Sequence, residues 1–390
     1  MRILQVTPRF PPAIGGVEEH VYRISRELTR RGHNVTVITS NEVDGKISPV
    51  KKETVDGVEV YRFPLFMPRI FRELWFIPEV MKIAREVEAD VVHAHGYRCL
   101  SSLEAVYVSR VRGVPSVLTP HGIYPRRSLA NGFAKDFFDK SSGRLLLKSS
   151  DRIVALSRHN KRLISSLGAS EHKIDIVPNG VDIGEYANLH RSRRILEELH
   201  SDGPILLYVG RIDWNKRVDN IVRALPAILK DFPSAKLVVV GPDYSNCVNE
   251  LWDVSEKFKV KDSLVITGDV SREKLLEFYS IANVFLLPSS YEGFGLSMLE
   301  AMCSKIPVIA SPSGGPGDIL KDRTHALLLK ESNSYEISRS VHDVLTDQSL
   351  KEELVKNALE LVETKYTWKN VVNHLEVIYG GTIAEKRGRA

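Results

Sequence analysis

Four short segments of this 390-residue chain combine residue types and spacing that could do chemistry. The densest is Ser289-Ser290-Tyr291-Glu292-Gly293-Phe294-Gly295-Leu296-Ser297-Met298-Leu299-Glu300, where two carboxylates flank a glycine-rich turn that opens a helix. Carboxylates accept hydrogen bonds from vicinal hydroxyls, and glycines free backbone N–H groups at the helix start for sugar or phosphate oxygens. A second segment, Gly210-Arg211-Ile212-Asp213-Trp214-Asn215-Lys216-Arg217, follows an apolar strand and brackets a short loop with Arg211 and Lys216. A guanidinium fork and an ammonium point charge together suit a diphosphate. In Thr119-Pro120-His121-Gly122, His121 stands at a strand end, where an imidazole can hydrogen-bond a hydroxyl. Pro11-Pro12-Ala13-Ile14-Gly15-Gly16-Val17 joins the first strand to the first helix, and Gly15 and Gly16 let backbone approach a phosphate there. Each segment also has a plainer reading: a capped helix, a solvated turn, a packed histidine and a simple bend.

Two other chemistries lose support. The full G-x-G-x-x-G fingerprint of dinucleotide binding is absent. His93 and His95 end another strand and could join His121 on zinc, but no H-E-x-x-H or cysteine pairing accompanies them, so no metal site is expected. The three cysteines (Cys99, Cys247, Cys303) are too scattered for a disulfide framework and fit a reducing compartment.

Elements that could position these segments alternate along the chain. Apolar strands at 2–7, 34–40, 58–63, 89–95, 115–122, 152–157 and 173–180 are separated by helical stretches, and the pattern restarts at 204–211 with further strands at 235–241, 263–268, 284–289, 306–311 and 325–329. Strand–helix alternation implies parallel strands with crossover helices. The expected fold is α/β, with two Rossmann-like doubly wound domains. The polar segment 182–203 reads as a linker, which divides the chain into 1–185 and 186–366, and 335–381 reads as helices. Ligands in such sheets bind beyond the carboxyl ends of the strands, so a cleft between the two lobes is the expected site.

Composition sets further bounds. Hydrophobic residues are 43% and charged residues 26%, which excludes bulk disorder. The N-terminus MRILQVT has no signal-peptide core, and no apolar run is long enough to span a membrane, so a cytoplasmic protein is expected. The net charge of +5 is uneven. Residues 1–190 hold 28 Lys and Arg against 21 Asp and Glu, and residues 91–170 hold 13 against 4. A basic N-terminal half implies an anionic partner, such as a phosphorylated substrate or a lipid surface. The stretch Leu65–Met81, LFMPRIFRELWFIPEVM, mixes large apolar residues with Arg69 and Arg72 and could lie at the inner face of a membrane. The aromatic–basic stacking platforms of single-strand binders are not evident, so nucleic acid is not an expected partner.

Taken together, the four segments resemble the family 4 retaining glycosyltransferases of GT-B fold. The resemblance rests on Gly15-Gly16, His121-Gly122, Gly210-Arg211 with Lys216, and Glu292 with Glu300 in an E-x7-E pattern. Gly314-Gly315-Pro316-Gly317-Asp318 is similar to a later Gly-Gly-x-x-Glu turn, with Asp in place of Glu. The resemblance runs over nearly the whole chain. It implies transfer of a hexose-type sugar from a GDP- or UDP-sugar to an acceptor, with retention at the anomeric carbon. Arg211 and Lys216 would neutralise the departing diphosphate without a metal or other cofactor. Glu300 would hold the ribose. Glu292, Gly293 and the N–H groups of Phe294, Gly295 and Leu296 would hold the donor sugar. Gly16 would approach the diphosphate and His121 a sugar hydroxyl. It also implies that a C-terminal helix, 367–382, returns to the N-terminal domain. The basic N-terminal half favours a lipid-linked sugar or a phospholipid as acceptor. Three other readings use the same features: a nucleotide-sugar epimerase of the same two-lobed architecture, a retaining glycosidase, which would need two carboxyls ~5–5.5 Å apart, and a non-catalytic module that grips anionic lipid.

Overall fold

A computed structural model describes residues 1–13, 15–43, 46–66, 76–123, 129–243 and 246–388. The chain forms two compact units. Unit 1 is Met1–Gly180 with Trp368–Ala390, and unit 2 is Val181–Thr367.

Unit 1 is built on β1 (Arg2–Val6), β2 (Asn34–Ser40), a small antiparallel pair β3 (Glu42–Val43) and β4 (Lys46–Ile47), then β5 (Lys52–Val55), β6 (Val58–Phe63), β7 (Val91–His95), β8 (Ser116–Thr119), β9 (Arg152–Ala155) and β10 (Ile174–Ile176). Eight of these form one sheet in the order β10-β9-β8-β7-β1-β2-β6-β5. All pairs are parallel except the edge pair β5–β6, a hairpin the sequence did not suggest. The central strands are buried along nearly their whole length, which is why they read as continuous apolar runs rather than alternating ones. Helices α1 (Gly16–Arg30), α2 (Val80–Glu86), α3 (Leu100–Val111), α4 (Leu129–Lys140), α5 (Ser142–Ser149) and α6 (Arg158–Ser166) connect the strands. In α1, Val21, Ile24 and Leu28 form the buried stripe, each worth on the order of 1.5–3 kcal/mol. Glu18 and Glu19 in its first turn and Arg30 in its last complement the helix dipole.

The last helix, Trp368–Arg387, belongs to unit 1. It buries Val371, Val372, Leu375 and Tyr379, and its Glu376 receives Arg31 Nη1 at 2.8 Å and His33 Nε2 at 2.8 Å.

Unit 2 begins with α7 (Ile183–Tyr186) and α8 (Arg193–Glu198) and continues through β11 (Ile205–Val209), α9 (Val218–Asp231), β12 (Lys236–Val240), α10 (Cys247–Lys257), β13 (Leu264–Gly268), α11 (Arg272–Ile281), β14 (Val284–Leu287), α12 (Leu296–Cys303), β15 (Val308–Ala310), α13 (Gly315–Ile319), β16 (Leu327–Leu328), α14 (Ser334–Thr346) and α15 (Gln348–Lys365). Its six strands are all parallel, in the order β13-β12-β11-β14-β15-β16.

Both sheets reverse their winding direction once, between β1 and β7 in unit 1 and between β11 and β14 in unit 2. Crevices at such switch points, beyond the strand carboxyl ends, are where open α/β sheets bind ligands. The loops leaving β1, β11 and β14 carry three of the four candidate segments, and His121 follows β8, the neighbour of β7.

One expectation changes, and one falls largely outside the described residues. Segment 182–203 is not a free linker, because Tyr186 and Ile195 are buried in unit 2 and Glu185 pairs with Arg272 at 2.7 Å. Its short helices are masked in the sequence by Arg and Glu side chains that face outward. The stretch Leu65–Met81 is described only at its ends, where Phe66 and Phe76 form an antiparallel bridge and Ile77 and Val80 are buried; 67–75 lie outside the described residues. Among the described residues, no helix is long and apolar enough to cross a membrane.

Candidate functional site

In unit 2, the loops after β11 and β14 are joined by backbone. The Ser290 N–H donates to the Asn215 carbonyl at 2.8 Å, and Asn215 Nδ2 donates to the Tyr291 carbonyl at 3.3 Å. This brings the two segments that are 76 residues apart into one structure: Lys216 Nζ lies 2.6 Å from Glu292 Oε2. Both side chains are mostly buried, at 8% and 14% exposure. Lys216 ends a 3-10 turn, Trp214–Lys216, and Arg217 takes the left-handed conformation (φ 53°) that swings the chain into α9. Arg211 is exposed, and its carbonyl accepts a hydrogen bond from the buried Tyr208 hydroxyl at 2.8 Å.

Glu292 is also held through its backbone. The Gly315 N–H donates to its carbonyl at 2.9 Å, and Glu292 and Gly314 form a parallel bridge. A Cβ on Gly314 would stand 2.0 Å from the Glu292 oxygen, and one on Gly315 would stand 2.5 Å from the Phe294 Cα. The Gly314-Gly315 pair therefore exists to let this backbone pass directly beneath the Glu292–Phe294 turn. Gly295 (φ 92°) opens α12, where the Leu296 and Ser297 N–H groups of the first turn carry the positive end of the dipole.

Glu300, in α12, has different partners from Glu292. Its Oε2 accepts from the Tyr279 hydroxyl at 2.8 Å, and its Oε1 lies 3.6 Å from Arg272 Nη1. Arg272 in turn makes a two-pronged contact with Glu185 and lies over the Tyr186 ring at 5.1 Å. Burial and the Glu300 carboxylate push the Tyr279 hydroxyl well above its usual range, so it donates at any ordinary pH. Arg272 lies in the segment 268–274, GDVSREK, which the sequence reading places near the donor's base, whereas Tyr279 was not singled out from sequence. The Tyr fell among the apolar residues of α11, and only its position in the last turn of that helix hinted at a polar task.

In unit 1, the carboxyl ends of the sheet gather imidazoles. His121, just past β8, holds a positive φ of 55°, unusual for a residue with a side chain. Its Nε2 lies 3.1 Å from His95 Nδ1. The His20 and His121 rings are 4.9 Å apart, and the His93 and His95 rings are 4.1 Å apart. All four are buried. Burial lowers His20 to about 4 and holds His93, His95 and His121 well below the usual histidine range, so the cluster is neutral at pH 7. His20 escaped notice in the sequence because it sits mid-helix in α1, a turn beyond Gly15-Gly16. At the start of α1, the Glu18 carboxylate folds back over Gly15, with Arg9 Nη1 3.9 Å from it. A cavity of about 610 Å³ opens at the opposite, amino-terminal end of the unit 1 sheet, lined by Arg2, His33, Glu59, Tyr61 and Glu88 among others, and none of the candidate residues faces it.

Comparisons with known proteins agree on one family. The family "Glycosyltransferase Family 4" matches residues 14–185, and "Glycosyl transferases group 1" matches residues 193–361. An uncharacterized glycosyltransferase of Methanocaldococcus jannaschii is 29% identical over 97% of this chain and 98% of its own length. A phosphatidylinositol N-acetylglucosaminyltransferase chain of Arabidopsis thaliana is 26% identical over 97% of this chain and 81% of its own. The crystal structure of Anabaena HepE in complex with UDP and glucose superposes with a TM-score of 0.77 at 17% identity, over 97% of this chain and 99% of that one. That likeness establishes the GT-B fold.

Proposed function

Since the chain belongs to the family 4 glycosyltransferases and has their GT-B fold, we propose that it moves a hexose-type sugar from a GDP- or UDP-sugar to an acceptor, with retention at the anomeric carbon. The observation that carries this reading is the buried Lys216–Glu292 pair at the mouth of the unit 2 switch point. The bond from the anomeric carbon to the β-phosphate oxygen breaks, negative charge collects on the departing diphosphate, and the acceptor oxygen bonds to that carbon and passes its proton to the departing phosphate oxygen. A lysine ammonium has three N–H donors. Glu292 occupies one and pins the group, which leaves two for phosphate oxygens with no reorganisation at the moment of transfer. Arg211 supplies the second positive charge, so the diphosphate is neutralised by side chains and not by a metal.

The remaining roles follow from the same frame. Glu300, aimed by Tyr279, accepts the ribose hydroxyls. Glu292, Gly293 and the N–H groups of Phe294, Gly295 and Leu296 hold the donor sugar. His121 meets a hydroxyl of that sugar as a neutral imidazole, and Gly15 and Gly16 give backbone N–H contacts to the diphosphate.

The acceptor in this reading is a lipid-linked sugar or a phospholipid at the inner face of a membrane. The basic balance of residues 91–170 supports it, as do the exposed Phe66, Tyr107, Phe137 and Leu145 of unit 1 and the phosphatidylinositol substrate named for the Arabidopsis relative. A thermal-shift panel of nucleotide sugars tests the donor: a ligand at 100 times its dissociation constant adds ~2.7 kcal/mol to stability. Incubation of the stabilising donor with anionic liposomes carrying candidate acceptors then tests transfer. Product without an acceptor, or hydrolysis of a simple glycoside, would replace transfer with epimerisation or glycoside cleavage.

A further inference from the structure

The proposed transfer uses only one of the four buried imidazoles of unit 1. His20, His95 and His121 are 1%, 0% and 4% exposed, and their ligand nitrogens all lie within 4.8 Å of one another. Two of the rings are fixed from behind. His20 Nδ1 lies 2.7 Å from Asn179 Oδ1, and His95 Nε2 lies 2.9 Å from Gln5 Oε1. An amide oxygen only accepts, so these nitrogens carry the ring protons. The opposite nitrogens, His20 Nε2 and His95 Nδ1, then present lone pairs to the centre of the cluster. His20 Nε2 is buried and has no hydrogen-bond partner.

An N–H donated outward to an oxygen, with the lone pair turned inward, is how metal-ligating histidines are held by their surroundings. The spacing agrees. Zinc–nitrogen bonds of ~2.0–2.1 Å give tetrahedral nitrogen–nitrogen edges of about 3.3–3.4 Å, and His95 Nδ1 and His121 Nε2 are 3.1 Å apart. His93 is not part of the set, because its nitrogens meet the Tyr379 hydroxyl at 2.6 Å and Thr119 Oγ1 at 2.8 Å. This replaces the trio of His93, His95 and His121 considered from sequence.

We propose that His20, His95 and His121 form a site for a divalent cation of the zinc class, with three imidazole ligands and a fourth position open to water, and that the bound cation switches off sugar transfer by taking the nitrogen of His121. The choice of zinc class follows from an all-imidazole donor set. Cation binding stands on the cluster alone, whereas inhibition rests on the role given above to His121.

The test reads the two separately. The full chain, stripped with chelator, is titrated with Co2+ alone. One equivalent gives the visible absorption of four-coordinate, nitrogen-ligated cobalt, Zn2+ bleaches it, and the unfolding temperature rises. His20→Ala and His95→Ala each weaken Co2+ binding by more than about ten-fold. If either fails to fold, His20→Gln is read instead. Absence of one-equivalent absorption in the wild type overturns the site, as does absorption that persists when His20→Ala and His95→Ala are combined. Transfer is then assayed with and without one equivalent of Zn2+, and inhibition that chelator reverses is expected. A normal cobalt spectrum with undiminished transfer overturns the switch. A normal spectrum in a protein that transfers no sugar under any condition counts against the transferase reading instead.

Discussion

At the carboxyl end of the unit 1 sheet a cluster of buried imidazoles is uncharged, beside the Arg9–Glu18 pair at the start of α1, whereas at the same end of the unit 2 sheet Lys216 and Glu292 are charged and paired. Unit 1 gathers four imidazoles that burial keeps neutral, and on its α3 the half-buried Glu104 is pushed up to about 7 by burial and by the neighbouring Glu79. Unit 2 keeps Lys216 against Glu292 and sets Arg272 between Glu185 and Glu300. Unit 1 also has a buried ion pair, Arg62 with Glu53, but on the far strands β5 and β6. The same kind of sheet thus meets the cost of burying polarity in two ways, by shifting protonation or by supplying a counter-charge. The first leaves a surface suited to hydroxyls and soft cations. The second leaves fixed charge for an anion such as a diphosphate.

The sharpest way to break this contrast is to remove the counter-charge in unit 2. Lys216→Ala is expected to lower transfer by about 10²–10³. Adding Glu292→Gln should restore part of the lost thermal stability without restoring rate, and steady-state kinetics beside a melting curve separates the two. Wild-type turnover in Lys216→Ala would remove the charged half of the comparison. Next in size is Gly314→Ala. The new methyl must clear the Glu292 oxygen from a φ of 82°, so unit 2 should lose about 2–4 kcal/mol in urea unfolding. A smaller effect is expected from Tyr279→Phe, which frees Glu300 without moving the diphosphate clamp. The donor KM should rise roughly ten-fold, the ~1.5 kcal/mol of one hydrogen bond to a charged group, with kcat nearly unchanged. An equal fall in kcat would show that Glu300 acts in the transfer step.

Unit 1 offers the opposite sign. An acid whose folded value is raised holds its proton longer in the folded state, so Glu104 costs stability as pH climbs from its unfolded value, near 4.3, through about 7. Glu104→Gln should therefore stabilise the protein at pH 8, by roughly 1–2 kcal/mol after allowing for solvent screening, and change little at pH 4. Smallest of all is Gly380→Ala in the last helix, where no atom lies within 4 Å of the added methyl. A gain of about 0.5–1 kcal/mol is expected from helix propensity, in contrast to the loss at Gly314.

The strand–helix alternation was enough to predict two parallel α/β sheets, because fully buried parallel strands leave uninterrupted apolar runs such as Ile205–Val209 and Lys236–Val240. Lys216 and Glu292 could be singled out by type, but not their contact, which depends on β14 lying beside β11 and on the Asn215–Ser290 backbone bond. His20 and Tyr279 were illegible for a different reason. Each lies on a helix whose other residues are explained by packing, and only the fold reveals what the polar atom reaches. Segment 182–203 misled because two short helices bury one side chain each and expose several charges, a pattern a true linker shares.

The return of the final helix to unit 1 orders events during synthesis. Tyr379, which meets His93, and Glu376, which receives Arg31 and His33, leave the ribosome only after every residue of unit 2. At ~5–20 residues per second that delay is roughly 10–40 s. For that interval the nascent N-terminal sheet carries an unfilled berth on α1, and a chain released before Trp368 would keep that berth open for any chaperone to find.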